Sequence, residues 1–393
     1  MKEIIINNDN QKSNIVVLED GKVVEHYKEL FNNKTIEGNI YLGKVVSVLP
    51  GMQAAFVDIG EEKNAFLHIK DVLPKVSEIT GNKNEKLSNN DIKKYVRVGM
   101  PIMVQIKKDK IETKGARVST NINIPGKYVA LVPNSNFVTV SSKIEDEAES
   151  NRLKKIIKEH VQEQYGFIFR TAAFGKSEKE IINEIEELDK LYKEIANKAK
   201  KLIDECSFPA KVFEIGGITN KIIMGLAEYT EKIDVNDQDV YKFIINKYPE
   251  ISKKITLHEK NEEIFSDDIL AQIEKLESRK IWLKCGGFIT IDRTEALTAI
   301  DVNTGKYTGK DSLEQTILKV NEEASIEIAK QLRARDIGGI IIIDYIDMEE
   351  EESEKIIVEL LEKELKKDRA KTQVVGFTKL HLLEMTRKHL YTN

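Results

Sequence analysis

Two runs of apolar residues, each closed by a carboxylate, constrain this chain more than any other feature of it. Leu297-Thr298-Ala299-Ile300-Asp301-Val302-Asn303 and Ile340-Ile341-Ile342-Ile343-Asp344-Tyr345-Ile346-Asp347 both have the length and β-branched content of buried strands. Between them the spacing predicts a long helix, Ser312 to Arg335. A strand, a helix long enough to cross a sheet and a second strand form a crossover unit that sets the strands beside or near each other. Asp301 and Asp344 then converge at strand ends. Two such carboxylates, with the Asn303 amide close by, suit Mg²⁺, which takes oxygen ligands and keeps most of its waters. A metal held this way activates water and takes up charge on a phosphodiester. A strand-end aspartate taken singly is more often a turn residue or helix cap. The pair, not either member, carries the reading.

The chain has 393 residues, 41% of them hydrophobic and 32% charged, enough for two or three domains with buried cores. Disorder is excluded on that balance. No apolar run approaches the roughly 20 residues needed to span a bilayer, and Glu3 and Asn7 fall where a secretory leader would continue its hydrophobic region. A cytoplasmic location is expected. Cys206 and Cys285 lie far apart with no CxxC or HxxxH near either, so neither a disulfide framework nor a cysteine-built zinc site is indicated, and zinc is not expected. A net charge of −5 argues against indiscriminate nucleic-acid binding but allows a local basic groove.

A basic, β-rich stretch is the candidate for one. Short β-rich runs, Ile40 to Leu49, Ala54 to Ile59, Lys63 to Ile69 and Met103 to Lys107, suggest a small barrel, with a polar stretch near Gly81 to Asn90. From Lys93 to Arg117 eight basic residues face two acids. Phe56 and Phe66 stand at neighbouring strand ends in this barrel, and aromatic platforms beside lysines such as Lys108 and Lys114 stack single-stranded bases. Filling of the barrel core is the competing role for both rings. The strand from Gly166 to Thr171 ends in Arg170-Thr171, donors that can fork around a phosphate. Gly175-Lys176-Ser177 follows, but a P-loop's leading glycine would fall at Arg170, so no P-loop is read there. Trp282 is assigned a half-buried core role, the segment from Lys379 to His389 a helix, and the scattered histidines no ligand role.

Taken together these residues resemble the catalytic half of the ribonuclease E/G family of endoribonucleases, over nearly the whole chain. The blocks that carry the resemblance are Gly38 to Val45, Gln53 to Gly60, Thr113 to Arg117, Phe169 to Ala172, Thr294 to Gly305, and Gln331 to Gly339 running on to Ile343-Asp344-Tyr345-Ile346-Asp347-Met348. The resemblance implies an α+β multidomain fold. In it an RNase H-like subdomain (1–34 and 215–278) is interrupted by an S1 (OB) barrel (35–118) and a 5′-sensor (119–214), and a DNase I-like α/β subdomain (279–393) follows. It further implies that Asp301 and Asp344 hold Mg²⁺, that Asn303 orients the scissile phosphate or the metal's water, and that Phe56, Phe66, Lys108 and Lys114 guide RNA. Arg170 and Thr171 would grip a 5′-monophosphate.

Three departures from the family pattern stand out. No CPxC-type zinc knuckle or small domain follows, so a monomer, or a dimer without a zinc-link, is expected. Where the family commonly has an arginine pair after a serine, Val140-Ser141-Ser142-Lys143 keeps only the second basic charge, as Lys143, which weakens the expected 5′-end recognition. His381 stands where a glycine is usual. The reading that follows is a Mg²⁺-dependent endoribonuclease acting on single-stranded RNA in RNA processing or decay. A non-catalytic RNA-binding protein of the same fold is the alternative, and the presence of Asp301, Asn303 and Asp344 together argues against it.

Overall fold

The computed structural model describes residues 1–31, 35–72, 92–110, 114–161, 165–260, 262–305 and 313–391. The polar stretch near Gly81 to Asn90, and Thr113 of the matched blocks, lie outside them. The chain divides into two compact units, Thr35–Gly225 and a discontinuous one made of Met1–Lys34 with Leu226–Asn393.

In the Thr35–Gly225 unit, five strands close into a barrel: Ile40–Leu49, Ala54–Asp58, Ala65–His68, Pro101–Lys108 and Arg117–Ser119. The first strand hydrogen-bonds to both the second and the fourth, which closes the ring. Alternation drives this: Ala55, Val57, Ala65, Leu67, Val104, Ile106 and Val118 point inward and form the core. Gly43 is required where two strands approach, since a Cβ there would lie 2.6 Å from Val57 Cγ1 and 2.7 Å from the Asp58 carbonyl oxygen. A second sheet, ordered Val138–Val140, Gly166–Phe169, Val129–Val132, Ile124–Pro125, packs against the helices Glu147–His160 and Glu178–Asp204. Ser177 caps the second helix in a capping box with Glu180. The Gly175-Lys176-Ser177 signal is therefore a helix start.

The discontinuous unit holds two sheets. The first runs Ile255–Leu257, Lys232–Val235, Lys2–Asn8, Lys12–Glu19, Lys22–Leu30, parallel in its first two pairings and antiparallel in the last two. The second runs Lys280–Trp282, Phe288–Arg293, Leu297–Asn303, Gly339–Asp344, Leu382–Arg387, Thr372–Phe377. Its one parallel pairing is between Leu297–Asn303 and Gly339–Asp344, and the helix Leu313–Ala334 makes the crossover. Val320, Ala324, Ile328 and Leu332 of that helix, with Ile357, Leu361 and Leu365 of the helix Glu351–Leu365, cover one face of this sheet.

Two local expectations are corrected. Lys379 to His389 is not a helix: Leu382–Arg387 is a strand whose Leu383, Met385 and Arg387 are buried in alternation. Trp282 is 59% exposed, because its strand presents Ile281 to the core side and turns Lys280 and Trp282 outward.

Candidate active site

Ile300 and Val302 are buried against the helices, which turns Ala299, Asp301 and Asn303 to the sheet's other face. The same alternation buries Ile341 and Ile343 and leaves Asp344 exposed. The parallel register sets Asp301 directly opposite Asp344, and neighbouring strands run about 4.8 Å apart. Asn303 Nδ2 donates to Asp301 Oδ2 at 2.6 Å. Partial burial, and then the charges of Asp301 and Asp347, push the Asp344 pKa above the ordinary aspartate range. Asp347 thus joins the pair as a third nearby carboxylate.

The turn that carries Asp344 and Asp347 is clamped from behind by the crossover helix. Asn321, wholly buried, donates from Nδ2 to the Ile346 carbonyl at 2.8 Å and accepts the Ile346 N–H at Oδ1 at 3.2 Å. Ser325 Oγ lies 2.8 Å from the buried Tyr345 hydroxyl. On the other side, Gly287 lets the preceding turn approach the site strand, since a Cβ there would stand 2.8 Å from the Asn303 carbonyl oxygen. The paired carboxylates of Asp301 and Asp344 with the Asn303 amide, exposed at two strand ends, fit a hard cation such as Mg²⁺ that binds through one or two carboxylates and keeps its waters. Among the described residues no three or more His, Cys, Asp or Glu gather into a cage.

In the other unit, Phe56 and Phe66 are cross-strand partners with ring centroids 5.9 Å apart at 66°. Both are half-buried and lie outside the barrel core, on the faces opposite Ala55, Val57, Ala65 and Leu67. Phe66 faces Arg117, and Arg117 faces Lys108, so aromatic and basic residues form one row across the barrel wall. Lys108 and Lys114 are exposed. Lys107 and Arg117 both bind Asp71 at 2.7 Å. Burial raises the Asp71 pKa, but these two cations outweigh it and hold the carboxyl below its usual range.

Arg170 follows the strand Gly166–Phe169 and donates from Nη1 to the Gly126 carbonyl at 2.6 Å. Thr171 Oγ1 lies 3.1 Å from Ser141 Oγ, which also accepts the Lys143 N–H at 3.3 Å. The fold therefore gathers Arg170, Thr171, Ser141 and Lys143 at one sheet end. Glu184 orders the adjoining loop by accepting the N–H groups of Lys127, Tyr128 and Val129.

The sequence profile described as the Ribonuclease E/G family matches residues 123–390. The chain belongs to the ribonuclease E/G family of endoribonucleases. Ribonuclease G of Salmonella typhimurium (strain SL1344) and of Escherichia coli (strain K12) are each 38% identical over 395 residues, covering 98% of this chain and 79% of theirs. Ribonuclease E of Nostoc sp. (strain PCC 7120) is 34% identical over 361 residues, covering 89% of this chain and 51% of its own. Among solved structures, the solution structure of GSP13 from Bacillus subtilis aligns with 22% of this chain and 56% of its own at 26% identity, with a TM-score of 0.16.

For a ribonuclease E/G family chain, the clamp behind the carboxylates is what sequence reasoning missed. Asn321 and Ser325 are polar residues on the helix face that also carries Val320, Ala324 and Ile328. A buried amide and hydroxyl in an apolar stripe need partners, and that mismatch was the available signal.

Proposed function

We propose that this chain is a Mg²⁺-dependent endoribonuclease that cuts single-stranded RNA to leave 5′-phosphate and 3′-hydroxyl ends, acting in the cytoplasm in RNA processing or decay. The observation that carries the reading is the register of Asp301 against Asp344, in a member of a ribonuclease family. These two carboxylates would hold the cation, which when bound activates water and neutralises phosphate charge. Asn303 fixes the Asp301 carboxylate by its hydrogen bond and faces the scissile phosphate. A water oxygen adds to phosphorus, the bond to the 3′ oxygen breaks, and that oxygen leaves with a proton. Burial first, and then the neighbouring charges of Asp301 and Asp347, hold the Asp344 pKa above the ordinary aspartate range.

Phe56 and Phe66 offer stacking faces to bases, and Lys108 and Lys114 offer charge to the backbone. Arg170 and Thr171 form the donor end of a 5′-monophosphate sensor. The closed barrel supports the S1 reading for 35–118, and 119–214 is read as the sensor. The mixed five-strand sheet supports an RNase H-like subdomain from 1–34 with 215–278, and the six-strand sheet with its helices is read as DNase I-like over 279–393.

The test is cleavage of a labelled single-stranded RNA by Asp301→Asn and Asp344→Asn. Each should lower the rate by about two orders of magnitude or more, as expected when several kcal/mol of transition-state stabilisation is lost, with RNA affinity nearly unchanged. Wild-type cleavage in both variants would move the active centre elsewhere. RNA binding without cleavage by the wild-type chain at any Mg²⁺ level would leave the non-catalytic binding protein.

A further inference from the structure

We propose that Trp282, Phe288 and Lys280 form a base-stacking subsite for single-stranded RNA on the same sheet face as the Asp301–Asp344 pair. This rests on the reading of that pair as the active centre. The face is set by register. Trp282 pairs with Phe288 and Phe288 with Asn303, while Lys280 pairs with Thr290 and Thr290 with Asp301. Directly paired residues share a face, so one row runs Trp282, Phe288, Asn303 and the next runs Lys280, Thr290, Asp301, Asp344. Strand spacing then puts Phe288 about 5 Å and Trp282 about 10 Å from the Asn303 strand. The intervening residues Ile281, Ile289 and Val302 belong to the helix-covered face.

An aromatic pair on the open face is costly unless something covers it. Trp282 is 59% exposed, and its ring meets Phe288 edge-on with centroids 5.4 Å apart at 62°. Lys280 Nζ lies 4.3 Å from the Trp282 centroid and 3.5 Å from that of Phe288. A cation resting on one exposed and one half-buried ring is a weak, flexible contact. A base can displace it, and the ammonium is then left beside the nucleotide's own phosphate. An accessible aromatic face with an adjacent cation is what sequence-tolerant binding of single strands uses, because every base has a π face to stack on it. The position, one to two strands from Asn303, seats a nucleotide flanking the scissile phosphate.

Trp282 is the chain's one tryptophan, so its emission reads this surface directly. The experiment titrates the full chain, without Mg²⁺ and with chelator, with a single-stranded oligoribonucleotide, and in parallel with inorganic polyphosphate as a base-free polyanion. Saturable quenching by the RNA and none by polyphosphate is expected. Trp282→Ala should weaken RNA binding about five-fold or more, and Trp282→Phe should restore most of it. Unchanged emission at saturating RNA, or equal quenching by polyphosphate, overturns the subsite while leaving the Asp301→Asn result untouched. Emission that shifts with protein concentration alone overturns it in favour of a second copy of this chain. Wild-type cleavage by Asp301→Asn is a separate readout, and it would remove the active centre on which the subsite depends.

Discussion

A half-buried imidazole whose inner ring nitrogen is unpartnered makes folding depend on pH. His26 Nε2 has no hydrogen-bond partner among the described residues, and burial, then the charge of Lys28, pushes its pKa down to about 4 from 6.5. The folded value lies below the unfolded one, so the unfolded chain binds more protons between them. The stabilisation from neutral His26 is therefore complete above the unfolded value and is lost as pH falls through the window toward 4. Between pH 7.5 and 5 it should amount to about 2 kcal/mol. Thermal melts across that range should show a steeper loss for the wild type than for His26→Gln, and parallel slopes would remove His26 from the account. Single residues were legible in the sequence where alternation fixes the face. Asp301, Phe56 and Phe66 each have buried neighbours on both sides in the chain, which turns them outward. Trp282 carries the same signal, with Ile281 and Leu283 on either side packed in the core, but a large apolar side chain is ordinarily counted into the core, and that preference masked it.

Elements were legible where one period dominates. The crossover helix, Leu313–Ala334, and the strands flanking it carry their patterns in full. The strand Leu382–Arg387 does not. Leu, Glu and Met all favour helices, and one member of its buried alternation is Arg387, whose side chain is fully buried against Asp336 and Asp368 at 2.7 Å each. A hydrophobic pattern cannot include a residue buried by ion pairing. The same blindness hides Asn321, which acts on the site through the turn it holds. Asn321→Leu should leave the N–H and carbonyl of Ile346 unpartnered and cost about 1–3 kcal/mol of stability. As a positioning residue, it should also raise the Mg²⁺ concentration needed for half-maximal cleavage, measured well below the variant's melting temperature. Lower stability with an unchanged Mg²⁺ requirement would confine Asn321 to the core.

At the scale of the whole molecule, the chain leaves a unit after Lys34 and returns to it at Leu226. The N-terminal strand Lys2–Asn8 sits inside the first sheet, between Lys232–Val235 and Lys12–Glu19, so the unit cannot close until the distant segment arrives. Charge fastens that closure. Glu25, with no exposed side-chain surface, is bound by Arg369 at 2.8 Å and Arg333 at 3.4 Å and accepts the Tyr27 hydroxyl at 2.9 Å. Arg333 also reaches Glu19 at 2.8 Å. Removing one partner from a buried pair leaves the other charge uncompensated, at a cost of about 3–5 kcal/mol. Glu25→Ala should thus destabilise the discontinuous unit by that amount. The Thr35–Gly225 unit has cores of its own, the barrel interior and the sheet with its two helices. Calorimetry should therefore resolve two transitions, with Glu25→Ala lowering one and leaving the other in place. A single transition that moves as a whole would mean that the two units unfold together. The cost of losing Glu25 would then fall on the entire chain, because no part of it could stay folded once the discontinuous unit opened.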